Sequence, residues 1–152
     1  MVTKDVERLF VGTNILIFAT NSLSPWHLAA TKALQEARQL GVELILSQQI
    51  LREYLAAATR INILAEGPPF AEILENICIF RNDYTIVEDN SFVLDHLIEL
   101  LEKTPTSGKQ VHDANIVATM QTHGLRHLCT HNVADFQRFS QFIEIVPLVS
   151  VT

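Results

Sequence analysis

Asp113 stands in the segment His112-Asp113-Ala114-Asn115-Ile116-Val117-Ala118, with Ile116, Val117 and Met120 at i+3, i+4 and i+7. In a helix, that spacing puts the carboxylate on the apolar stripe that faces the core. A carboxylate there costs free energy unless a helix N-terminus, a hydrogen-bond network or a metal ion compensates it. The plainer alternative is an N-cap, a common place for Asp. Glu53 sits next to Ile50 and Ala57 on the wheel, at the edge of an apolar stripe. Its ordinary alternative is a solvated surface glutamate. Asp135, in Asn132-Val133-Ala134-Asp135-Phe136, equally reads as a turn residue or cap. Carboxylates that converge from separate elements suit hard divalent cations, which favour oxygen ligands. Their mutual repulsion raises some of their pKa values, so metal binding weakens at low pH.

Other chemistries find little support. His123, His127 and His131 are spaced i, i+4, i+8, but Gly124 and the strand-like Leu128-Cys129 interrupt any helix that would align them on zinc. No glycine-rich phosphate loop or nucleophile elbow is present in the sequence. Cys78 and Cys129 have no metal-type spacing, and both are expected to be reduced and buried in a cytoplasmic protein. The net charge of −6 argues against binding nucleic acid through a broad basic surface, but not against a metal-dependent nuclease, whose ion supplies positive charge locally. No apolar run approaches the ~20 residues of a membrane span, and the polar Met1 to Arg8 does not resemble a secretory signal.

The elements that must position these acids alternate. With 152 residues, 48% hydrophobic and 18% charged, the chain reads as one globular domain over 1–152. Arg8 to Val11 is a short buried strand, and Gly12-Thr13-Asn14 is the corner after it. Ser24-Pro25 predicts a helix start, with an end near Leu40 and Gly41. Val42 to Leu46 is the second strand, and Ser47 caps a helix through Ala58. A helix over about Phe70 to Phe80 precedes a strand at Tyr84 to Val87, and Ser91 is expected to cap a helix to about Lys103. The Asp113 helix ends near Gly124. A strand at His127 to Thr130, a short turn or helix around Ala134 to Arg138, and a strand from Ile143 to Val149 complete the chain. This alternation predicts a three-layer α/β/α sandwich with a mostly parallel sheet, whose site lies beyond the carboxyl ends of the strands.

Four segments together resemble the PIN-domain family, and more narrowly its toxins of VapC type. They are Phe10-Val11-Gly12-Thr13-Asn14-Ile15-Leu16, Ser47 with Glu53, Val111 to Ala118, and Leu128-Cys129-Thr130-His131-Asn132-Val133-Ala134-Asp135-Phe136. The resemblance covers nearly the whole chain. It implies a PIN-like fold and an endoribonuclease dependent on Mg²⁺ or Mn²⁺. Carried over by position, Glu53 and Asp113 match two core acids that bind the metal, and Asn132 falls where many members carry a further acid, a role the resemblance leaves to Asp135, the nearest carboxylate, as a third metal ligand. Thr13, Asn14 and Thr130 match small polar residues lining the site. The resemblance also implies a homodimer and a small antitoxin partner, for which the apolar residues Ile73, Leu74 and Ile77 offer a surface, though a core explains them equally well.

One position departs from the family. Gly12 stands where the first motif carries its Asp, and Asp5 and Glu7 lie before the strand, too early to replace it. Fewer acids hold Mg²⁺ less well, so the resemblance implies a weakened ribonuclease. The competing reading is a non-catalytic binding module that keeps the fold and the partner surface. A receiver-like or phosphatase-like domain also fits the periodicity, but would need an acidic pair after the first strand. For grip on RNA phosphates, Arg52, Arg60, Lys109 and Arg138 lie near the proposed site in sequence, with scattered solvated charges as the alternative. Single-stranded or looped RNA suits such a cleft. His112, beside Asp113, reads as a structural residue first and a phosphate contact second.

Overall fold

The computed structural model describes residues 5–148. Five strands, β1 (Arg8–Val11), β2 (Glu43–Ser47), β3 (Thr85–Val87), β4 (His127–Thr130) and β5 (Glu144–Pro147), form one sheet in the order β3-β2-β1-β4-β5. Every pairing is parallel, with Phe10 opposite both Ile45 and Leu128. The central strands are short and almost wholly apolar because both faces are covered, which leaves no solvent side for alternating polar residues. Leu9, Phe10, Val11, Ile45, Leu46 and Leu128 are buried accordingly. The expected last strand ends at Pro147, and Val149 lies outside the described residues.

Helices α1 (Thr13–Thr20) and α2 (His27–Gln39) connect β1 to β2, and α3 (Gln48–Ile63) and α4 (Phe70–Asp83) connect β2 to β3. The chain then returns across the sheet through α5 (Ser91–Lys103) and α6 (Gln110–Thr122) to β4 beside β1. Short α7 (Val133–Phe136) and a 3-10 turn (Gln137–Phe139) lead to β5. Right-handed crossovers that reverse direction after β3 put α1–α4 on one face and α5–α7 on the other. The reversal makes the boundary of β1 and β4 the switch point, where the strand ends open a crevice. Among the described residues, no helix is long and apolar enough to cross a membrane.

Some local expectations need correction. The second helix starts at His27, because Ser24 Oγ accepts from Trp26 N (3.1 Å) and forms a turn ahead of the helix instead of capping it. Asn90, rather than Ser91, caps α5, its Oδ1 accepting from Phe92 N at 3.0 Å and Val93 N at 3.4 Å. Cys129 is buried in β4, which pushes its thiol up to about 11, but Cys78 is exposed. Cys78 shares the outward face of α4 with exposed Leu74, one turn earlier, whereas Ile73 belongs to the core. The three spaced histidines separate: His123 Nε2 lies 2.7 Å from Glu88 O, His127 pairs with Glu144 at 3.0 Å, and His131 joins an aromatic cluster.

Candidate active site

The carboxyl ends of β1, β2 and β4 border a cleft of about 480 Å³. Gly12, Thr13 and Asn14 line it from the β1 corner, Glu53 and Arg60 from α3, Asp113 from α6, and Thr130 and Asn132 from the β4 corner. The folded chain thus brings the two proposed core acids, distant in sequence, onto the same cavity.

Glu53 is oriented by its own helix. Ser47 is fully buried at the end of β2, and its Oγ accepts from Ile50 N at 3.3 Å, starting α3. Gln49, one turn before Glu53, donates from Nε2 to Glu53 Oε1 at 3.3 Å and to His112 O at 2.8 Å. Its Oε1 accepts from Asn115 Nδ2 at 2.7 Å. Thr13 Oγ1 reaches Glu53 Oε2 at 3.4 Å. Gln49 therefore ties the Glu53 helix to the Asp113 helix, and only 6% of it is exposed. Neither Gln49 nor Asn115 was assigned a role from sequence. The available signal was a glutamine at i−4 to a suspected ligand on a helix that faces the core, and such glutamines orient carboxylates by donation.

Asp113 is the fourth residue of α6, and the cap position is Lys109, which makes no side-chain cap bond. The N-cap explanation of Asp113 therefore falls. Its carboxyl group is pushed up to about 6, first by burial and then by repulsion from Asp135 and Glu53. Arg138 and His112 counter this in part, and Arg138 is held over the α6 start by Gln110 Oε1 at 2.8 Å. Asp135 itself is exposed on α7; it acts on Asp113 through its charge, while Asn132 supplies the lining of the cleft on that side. The β4 corner is held by Asn132 N donating to Thr130 Oγ1 at 3.1 Å and by His131 N donating to Asn14 Oδ1 at 3.4 Å. Arg60 lines the cleft, whereas Arg52 and Lys109 are exposed outside its lining.

Gly12 has an ordinary extended backbone, φ −72° and ψ 156°, open to any residue. A Cβ there would point between Asn14 Oδ1 at 3.5 Å and Thr130 Cβ at 3.6 Å, into the cleft. It would also lie 3.2 Å from Cys129 O, to which Gly12 N donates, so that carbonyl must yield by a few tenths of an ångström. The glycine is thus not required by the turn, and it leaves the β1 end of the cleft without a carboxylate.

The side chains in the cleft that could ligate an ion offer carboxylate, amide and hydroxyl oxygens, which fit a hard divalent cation and not a soft one. Among the described residues, no three His, Cys, Asp or Glu side chains gather closely enough to share an ion. Any such ion would rest on two carboxylates and neutral oxygens.

Fold and cleft together define a parallel α/β protein with an acidic crevice at the sheet's switch point. The chain belongs to the PIN domain family, whose model matches residues 9–141. It is similar to Ribonuclease VapC24 of Mycobacterium tuberculosis, 29% identical over 135 residues that span 86% of this chain and 90% of the relative. Among solved structures, it resembles Mycobacterium tuberculosis VapC20, described as a sarcin-ricin loop cleaving toxin, with a TM-score of 0.70 and 15% identity over 91% of this chain and 99% of that one. It also resembles VapBC2 from Rickettsia felis bound to a promoter DNA fragment, with a TM-score of 0.67 and 19% identity over 91% and 98% of the two chains. A Klebsiella pneumoniae toxin-antitoxin complex gives a TM-score of 0.65 and 20% identity over 94% and 99%. At such identities, the structures show a shared fold.

Proposed function

We propose that this chain is a divalent-metal-dependent endoribonuclease of VapC type, the toxin of a toxin–antitoxin pair, weakened by Gly12. The observation that carries this reading is the convergence of Glu53 and Asp113 on one cleft, where burial and then the neighbouring acids Asp135 and Glu53 push the Asp113 carboxyl up. Glu53 and Asp113 would hold Mg²⁺ or Mn²⁺, with Asn132 and Asp135 orienting the ion or its waters. When bound, the ion supplies charge relief to phosphate oxygens and a more acidic water. Thr13 and Gln49 keep Glu53 aimed at the cleft, and Asn14 and Thr130 fix the opposite wall. Arg60 offers a cation to the RNA backbone.

The antitoxin partner is supported by a structural relative described as a toxin-antitoxin complex. A homodimer and an antitoxin would cover apolar side chains left outside, including Phe70, Leu74, Phe92, Leu94 and Ile98. The site would work in the cytoplasm. A second reading, a non-catalytic binding module, is favoured by one observation, the bare β1 corner at Gly12. The deciding experiment is cleavage of a structured RNA with Mn²⁺ by this chain and by Gly12→Asp. Slow cleavage that Gly12→Asp accelerates supports the nuclease. No cleavage by either supports the module.

A further inference from the structure

An aromatic cluster lies beside the β4 corner of the cleft, outside the cleft's own lining. Asn14, which lines the cleft, and Phe18 lie one turn apart on the same face of α1. The Phe18 ring meets His131 edge-on, with centroids 5.4 Å apart, and Trp26 lies against His131 at 4.5 Å, tilted by 47°. His131 falls in the chain between Thr130 and Asn132, both in the cleft, and its own N–H is held by Asn14. His27, next to Trp26, is tied back to Phe18 O at 2.8 Å, so the α1–α2 turn is braced on this cluster. Phe18, Trp26 and His131 are all only part-buried. None of them is needed for the acidic site described above.

We propose that Trp26 and His131 form a stacking subsite for an unpaired nucleobase adjacent to the phosphate held in the cleft. The proposal rests on reading the cleft as a ribonuclease site and adds the place where an unpaired base of that RNA would dock. Three observations favour RNA as the occupant. Phe18 braces the His131 ring edge-on, and His27 ties the turn that carries Trp26 to Phe18 O, so the pair loses little freedom when a base docks. They are joined through His131 and Asn14 to the same corner that presents Thr130 and Asn132. The chain carries a net charge of −6, so base stacking must supply affinity that a broad basic surface would otherwise give. Aromatic faces accept any base, so the subsite selects for unpaired structure more than for sequence.

Trp26 is the chain's sole tryptophan, and its emission reports on the subsite directly. The test titrates the full chain, with Mn²⁺, with a fluorescein-labelled single-stranded RNA octamer and with an abasic ribose-phosphate octamer. Anisotropy reports binding, and Trp26 emission reports stacking. The expected result is Trp26 quenching by RNA and none by the abasic chain. His131→Ala should weaken RNA binding about tenfold, leave abasic binding unchanged, and be rescued by His131→Phe. Circular dichroism melting confirms that each variant folds, and the wild-type quenching stands as a readout should Trp26→Ala not fold. RNA binding with neither quenching nor an effect of His131→Ala overturns the subsite and leaves the nuclease reading intact. Failure of the wild-type chain to bind RNA at all overturns both.

Discussion

The corners at the ends of β1 and β2 lie on neighbouring strands and use similar extended backbones, with Gly12 at φ −72°, ψ 156° and Ser47 at φ −119°, ψ 168°. Each hands the chain directly to a helix. At Ser47 the hydroxyl caps α3 and the following turn places Gln49 and Glu53, and no buried side-chain polar atom among the described residues lacks a partner. At Gly12 the helix starts with no side-chain cap, and the space a side chain would fill opens onto the cleft. One corner is furnished and held rigid, and the other is bare but structurally intact. If the proposed metal site is right, its support is in place around Gly12, and a single carboxylate added there should strengthen it.

The largest expected effect comes from filling the bare corner. Gly12→Asp should raise Mn²⁺ affinity and RNA cleavage on the order of tenfold or more, read by calorimetry and cleavage kinetics. Gly12→Ala, which occupies the same space without a carboxylate, should give no gain. Adding Asp113→Asn to Gly12→Asp should abolish it. A wild-type chain already as active as Gly12→Asp would show that the β1 acid is dispensable.

Next comes the furnished corner. Gln49→Ala strands Asn115 Nδ2 and His112 O and frees Glu53, so urea unfolding should show a loss of about 2 kcal/mol. Ser47→Ala removes a single cap and should cost about 1 kcal/mol. Equal costs for the two would mean that the Gln49 bridge between α3 and α6 contributes little.

Asp113 gives a smaller effect with a definite sign. Its carboxyl is pushed up to about 6, so the folded state favours the protonated form. Without metal, the ionised group opposes folding above pH 6, and that penalty fades as pH falls toward the ordinary carboxylate range. Asp113→Asn should therefore stabilise the metal-free protein at pH 7, by about 1 kcal/mol once screening at this half-exposed site is allowed for. The gain should disappear near pH 4. Stabilisation that persists at pH 4 would point to packing instead of charge. Smallest of all, Asp135→Asn should lower the Asp113 pKa, followed by NMR titration, because Asp135 is the first of its charged neighbours to raise it.

The layered parallel fold was legible in the sequence because strands buried on both faces read as short apolar runs between amphipathic helices. Asp113 shares a face with Ile116, Val117 and Met120 as helical period requires, but Ala114, Ala118 and Thr119 are buried too, so α6 has no single apolar stripe. The start of α2 at His27 and the Asn90 cap of α5 were not legible, because cap-forming residues stood nearby and backbone geometry decided which of them, if any, capped the helix. Tertiary structure alone decided which acids meet. Glu53 and Asp113 come from helices on opposite faces of the sheet and converge because the strand order reverses between β1 and β4. It likewise decided that Asn132 lines the cleft while Asp135 acts from outside it, and that Gln49 bridges two helices distant in sequence. Local periodicity is written in nearest neighbours along the chain, but a site built at a switch point depends on contacts that exist only once the sheet has assembled.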